Sequence, residues 1–156
     1  MSEAGMLPHD TSCVFCKIVA GKIPCHKIYE DDMVLAFLDI GPIVAGHALV
    51  IPKAHYQTVM DTPPEVLAAV NSRMPLLTRA VLEATGRQAC HVLVNSGVEA
   101  SQSVQHLHYH ILPRYAGDGY RLPWPAGNLD PVEAAALREK IQVALARRPG
   151  QANGPV

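Results

Sequence analysis

The run HLHYHILPR, residues 106–114, alternates His106, His108 and His110 with Leu107, Tyr109 and Ile111. A period of two is the β-strand period, so the three imidazoles are predicted on one face and the apolar side chains on the other. With an ordinary pKa near ~6.5, imidazole is a neutral nucleophile or a proton carrier at physiological pH. Three readings fit the spacing. The face could be merely solvated, or His-x-His could aim two imidazoles at one zinc ion. Alternatively, one imidazole attacks an electrophile while its neighbours set its tautomer and protonate the leaving group. Spacing alone does not separate the last two.

A second pattern is Cys13-x-x-Cys16. It has zinc-knuckle spacing and is also a redox signal, although the βαβ context of a thioredoxin-like motif is missing. Cys25 and Cys90 have no partner pattern and read as small residues for packing.

These residues must be carried by short elements. CVFCKIVAG reads as a short helix stopped by Gly21. HKIYE and MVLAFLD read as a hairpin turning at Asp31 and Asp32, and HALVIP as a strand ended by Pro52. IGPIVAG is a loop. PPEVLAAVNSRMPLLTRAVLEATG reads as helix, with Pro75 predicting a kink or a break into two. ACHVLVN and SVQHLHYHILP are the next strands, joined by the turn-prone SGVEAS. A last helix runs from Pro131 to about Arg148, with Asp130 as its cap and Glu133 completing a capping-box pattern. Strands grouped around a long helix, without alternating crossovers, predict an α+β fold with a mainly antiparallel sheet.

Composition limits the partners. A net charge of -1 gives no electrostatic basis for binding nucleic acid or an anionic membrane. No apolar run is long enough to span a bilayer, and the first residues carry no basic n-region followed by an apolar stretch. The expected location is cytoplasmic, where cysteines are reduced or metal-bound. One domain over residues 13–148 is expected, between mobile tails at 1–12 and 149–156.

The pattern His-φ-His-φ-His-φ-φ, with φ apolar or aromatic, resembles the signature of the histidine triad (HIT) family, and HLHYHIL matches it. CVFCKIVAGKIPCHKIYEDDMVLAFLDI, GHALVIPKAH and NSGVEASQSVQHLHYHILPRY are similar, in order, to three regions of its Hint branch. The resemblance implies a roughly five-stranded antiparallel sheet with a long helix and a C-terminal helix, in a homodimer. It implies attack on the α-phosphate of nucleoside phosphoramidates or related purine nucleotide conjugates, through a covalent nucleotidyl-histidine intermediate. By position, His108 matches the nucleophile and His110 the histidine on the phosphoryl and leaving-group side. His106 matches the first triad member, and His47 a fourth histidine facing the site. Asp39 and Ile40 match a pair bordering the nucleoside, the carboxylate binding ribose hydroxyls. Asn95 and Ser103 match positions that hydrogen-bond the phosphate or leaving group. Phe37 and Ile18 are candidate apolar walls. In zinc-bearing members the ligands correspond to Cys13, Cys16, His55 and His106, a closed structural set that leaves no catalytic metal. Two further activities share the same nucleophile or fold: hydrolysis or phosphorolysis of diadenosine polyphosphates, and a zinc-stabilised nucleotide-binding interaction module. One position departs from the family pattern. The usual glycine before Gln102 is Ser101 here, where glycine would permit backbone angles that other residues resist.

Overall fold

The computed structural model describes residues 7–120 and 127–147. It divides into two compact units, residues 1–120 and 121–156, and the sheet lies in the first. In the second unit, one helix spans Pro131–Ala146, and the Asp130 carboxylate accepts from the amides of Val132 and Glu133, as its sequence predicts. Residues 1–6 and 148–156, which hold most of the expected tails, lie outside the described residues.

The first unit contains α1 (Val14–Val19), β1 (His26–Glu30), β2 (Val34–Leu38), β3 (Ala48–Pro52), α2 (Pro64–Thr85), β4 (Ala89–Val94) and β5 (Tyr109–Arg114). The five strands form one antiparallel sheet in the order β1-β2-β3-β5-β4. Alternation along the strands sends two different sets of residues to its faces. Val34, Ala36, Ala48, Val50, Leu107, Tyr109 and Ile111 pack beneath Val70, Met74, Leu77 and Val81 of α2. These four, spaced by three or four residues, form one helical stripe. On the opposite face, Leu35, Phe37, Leu49 and Ile51 pack with Cys13, Phe15 and Cys16 at α1.

Two expectations need correction. α2 is a single helix with Pro75 inside it, not two helices. Pro75 is exposed, so the carbonyl it leaves without a donor, that of exposed Asn71, faces water rather than the core. The histidine strand is also shorter than expected: β5 begins at Tyr109, and His106, at the end of a bend, and His108 precede it. The predicted alternation survives without the ladder, because Leu107, Tyr109 and Ile111 all enter the α2-side core. Register then places His110 opposite Leu49 of β3, which itself pairs with Phe37 of β2. That cross-strand row carries the site.

Candidate active site and metal centre

Burial disposes of the solvated-face reading. His106 and His108 are 0% and 2% exposed, and His110 is partly buried. A cavity of about 260 Å³ opens beside His108 and His110. Its apolar walls include Phe15, Ile18, Phe37 and Leu49, and its polar lining includes Asp39 and Ser103. Ile40, 90% exposed, stands at its mouth. The expected Phe37 and Ile18 walls are therefore in place.

Hydrogen bonds fix the tautomer of each imidazole around this cavity. His108 Nδ1 lies 2.7 Å from the carbonyl of His106, so Nδ1 carries the proton and donates. Nε2 is left with the free lone pair, the state a nucleophile requires. His47 Nδ1 accepts from the amide of Ile43 at 3.2 Å, so neutral His47 carries its proton on Nε2. That Nε2–H donates to His110 Nδ1 at 2.9 Å. His110 in turn must carry its proton on Nε2, a buried atom with no partner among the described residues. The chain of constraints ends in a free donor beside a free lone pair, with the His108 and His110 ring centres 4.8 Å apart.

Burial pushes all of these imidazoles toward the neutral form. It lowers His108 and His47 below their ordinary value. It lowers His110 to about 4, helped by the neighbouring His108 and His47. The Asp39 carboxylate, 3.6 Å from His47 Nε2, opposes the shift. Asp39 is itself held in place by accepting from the Gly41 amide at 2.8 Å. The loop that sets this geometry needs Gly46, whose φ is +84° and where a Cβ would lie 2.4 Å from Thr85.

Cys13, Cys16, His55 and His106 converge on the other side of Phe15, with all ligand atoms within 4.8 Å of one another. Sulfur-to-nitrogen separations are 3.5 Å (Cys13–His106), 3.4 Å (Cys16–His55) and 3.7 Å (Cys16–His106), and the two Nδ1 atoms are 3.2 Å apart. A tetrahedral zinc with bonds of about 2.3 Å to sulfur and about 2.0 Å to nitrogen requires sulfur–nitrogen and nitrogen–nitrogen edges of about 3.5 Å and about 3.3 Å. The donor set fits. His106 Nε2 donates to the carbonyl of Pro52 at 2.9 Å, leaving the Nδ1 lone pair for a metal. Burial lowers His106 to about 4, which keeps it neutral as a ligand must be.

The segment before Cys13, expected as the end of a tail, is tied to this cluster. The His55 amide donates to Pro8 at 2.7 Å, and the Asp10 amide donates to Cys16 Sγ at 3.5 Å. The Asn95 side-chain amide donates to the Ser101 carbonyl at 3.4 Å, on the loop whose Ser103 lines the cavity.

Several contributors were not read from the sequence. The Phe15 ring meets His106, His108 and Phe37 edge-on, at 5.8, 5.3 and 5.6 Å between centres. Its place between two ligand cysteines on a short helix was an available signal. The Ile43 amide and the His106 and Pro52 carbonyls gave none, because their side chains are irrelevant to what they do.

Residues 20–117 match the model of the HIT domain. The chain belongs to the HIT domain family. This HIT protein is 49% identical over 116 residues to an adenylylsulfatase of Arabidopsis thaliana, HINT3, covering 74% of this chain but 58% of that one. It is 44% identical over 131 residues to an adenosine 5'-monophosphoramidase of Schizosaccharomyces pombe, with 83% and 96% of the two chains covered. A solved structure of a zinc-bound histidine triad family protein from Mycobacterium smegmatis superposes with a TM-score of 0.67 at 37% identity, covering 87% of this chain and 96% of that one. Among the described residues, no helix is long and apolar enough to cross a membrane.

Proposed function

We propose that this HIT protein hydrolyses adenylyl and related purine nucleotide conjugates at the α-phosphorus, with an amine or sulfate as the leaving group. The carrying observation is the tautomer lock, which leaves a lone pair on His108 Nε2 beside a free His110 Nε2–H at one cavity. The adenylylsulfatase and monophosphoramidase named above support the substrate class.

In this scheme His108 Nε2 bonds to the α-phosphorus as the bond from phosphorus to the leaving group breaks, and the pair of electrons departs with that group. The bound phosphoryl anion favours proton uptake by the His47–His110 pair, against the effect of burial. For an amine, the pair hands that proton to the departing nitrogen, a step of a kind that contributes roughly 10²–10⁴-fold. Water then attacks the nucleotidyl-histidine, returns a proton to the pair, and frees the nucleotide with neutral His108. Fixed donors around the phosphoryl oxygens supply the rest of the stabilisation. Asp39 binds ribose hydroxyls at the cavity mouth, Ile40 borders the nucleoside, and Ser103 and Asn95 serve the phosphate side.

Cys13, Cys16, His55 and His106 hold a structural zinc in this reading, which joins α1 to the histidine segment. Four protein ligands fill a tetrahedral ion, so its chemistry is cross-linking rather than activation of water. The zinc-bound relative supports the assignment. Among the described residues β4 ends the sheet with no strand beyond it, which supports a homodimer, since pairing with a second copy would cover that edge. Light scattering at micromolar concentration should show twice the chain mass, and a monomer there rejects the dimer.

The test of function is a panel of adenosine phosphoramidate, adenylyl sulfate, guanosine phosphoramidate and diadenosine polyphosphate, with products resolved by chromatography. Release of mononucleotide from the first two at the highest kcat/KM supports the proposal. No release from any of the panel refutes it.

A further inference from the structure

Gln102 has its side chain buried at 4% exposure, inside a polar loop beside the cavity. A buried primary amide is costly unless its donors and acceptor are all satisfied. Here each is satisfied by main chain. Oε1 accepts from the Gly97 amide at 2.8 Å, while Nε2 donates to the carbonyls of Gln57 at 2.6 Å and Val104 at 3.1 Å. The Gln102 backbone amide also donates to the Gly97 carbonyl at 3.1 Å. One residue therefore grips both ends of the segment from Gly97 to Val104 and ties it to the chain after β3.

The segment being gripped is one that would not hold its shape alone. Gly97 has φ +98°, and Ser101 has φ 64°, a left-handed conformation unfavourable for a residue with a Cβ. Ser103, the next residue after Gln102, lines the cavity with His108 and His110. Its hydroxyl has a fixed place there only if the loop does.

We propose that Gln102 is a positioning residue: its buried amide clamps the loop from Gly97 to Val104 so that Ser103 meets the phosphoryl group rather than the nucleoside. The clamp acts through Ser103, and it leaves the nucleoside walls at Phe37 and Asp39 untouched. The inference rests on the hydrolase reading above, so its test measures binding as well as turnover.

The experiment compares wild type, Gln102→Met, Ser103→Ala and the double variant. Steady-state hydrolysis of adenosine phosphoramidate is read beside calorimetric binding of adenosine and of AMP. Gln102→Met keeps the volume and removes all three side-chain hydrogen bonds. It should lower kcat about 10²-fold, the scale of an ångström-sized misplacement. AMP binding should weaken about tenfold, as loss of a hydrogen bond to a charged group implies. Adenosine binding should stay within about twofold, and the double variant should lose no more than Gln102→Met, because coupled residues are not additive. Equal weakening of adenosine and AMP would show a general structural role and overturn the proposal. So would additive losses, or an unchanged kcat. If Gln102→Met does not fold, Gln102→Glu retains the acceptor for Gly97 and removes the donors to Gln57 and Val104, and the same pattern is expected of it. Should wild type itself release no nucleotide, the hydrolase reading fails, and the adenosine and AMP comparison still decides the clamp.

Discussion

Replacing His47 with alanine separates stability from chemistry at this site. The His47 imidazole is 3% exposed and makes two hydrogen bonds, accepting from the Ile43 amide at 3.2 Å and donating to His110 Nδ1 at 2.9 Å. His47→Ala leaves both partners without their mates, and a buried polar group so orphaned costs about 1–3 kcal/mol. Ile43 is 49% exposed, so water can reach its amide and the lower figure applies there. A total of about 2–4 kcal/mol follows, which a domain of ordinary stability, about 5–15 kcal/mol, survives. The backbone bonds from the Asp39 amide to the His47 carbonyl and from the His47 amide to Val44 remain. Catalysis loses more. Without the donor from His47, His110 is free to move its proton to Nδ1, and the donor at Nε2 disappears along with the proton relay. The expected fall in kcat is about 10²-fold with little change in KM. His47→Gln, which restores a donor to His110, should recover part of it. Urea denaturation gives the stability and steady-state hydrolysis of adenosine phosphoramidate gives the rate. A folded His47→Ala protein with kcat within about threefold of wild type would refute the tautomer chain, whatever its stability.

Three further predictions concern protons, metal and backbone. Burial lowers the folded His110 to about 4 against an ordinary 6.5, so the unfolded chain takes up its proton first as pH falls. Its contribution is full above the ordinary value and lost as pH falls from there toward the folded value, so the melting temperature should drop between about pH 7 and about pH 5; a flat profile contradicts this. Protein purified without added metal should carry about one zinc per chain by elemental analysis, and chelation should lower its melting temperature. Less than about a tenth of that zinc in reduced protein rejects the site. Ser101→Gly removes a left-handed penalty of about 1–2 kcal/mol and adds unfolded-state entropy worth about 0.5–1 kcal/mol. The net gain of about 0.5–1 kcal/mol should raise the melting temperature by about 2 °C, and a lowered one would contradict the loop conformation.

The parts of this site legible in the sequence are those written in side-chain period and type. The alternation of His106, His108 and His110 with Leu107, Tyr109 and Ile111 predicts two faces, and both are found. The spacing Cys13-x-x-Cys16 marks half of the convergent Cys and His cluster, while its other half, His55 and His106, comes only from family resemblance. Ser101 stands out in the sequence as a residue where glycine is usual, and its φ of 64° supplies the physical reason. What escaped reading is carried by main chain. The tautomers of His47, His106 and His108 are set by the Ile43 amide and by the carbonyls of Pro52 and His106. No residue type encodes those contacts. Of the kink or break that Pro75 predicts, the break does not occur, because the effect of a proline depends on which side of the helix it faces, and only packing reveals that.

The central claim is that His108 becomes covalently nucleotidylated during turnover. Adenosine phosphoramidate labelled at its α-phosphorus should be mixed with the protein and quenched within the first turnover. Label should attach to the peptide containing His108, in a bond that acid cleaves and base spares, and His108→Ala should neither acquire label nor turn over. A folded, active enzyme that never acquires label, or a His108→Ala variant with wild-type turnover, would contradict the account.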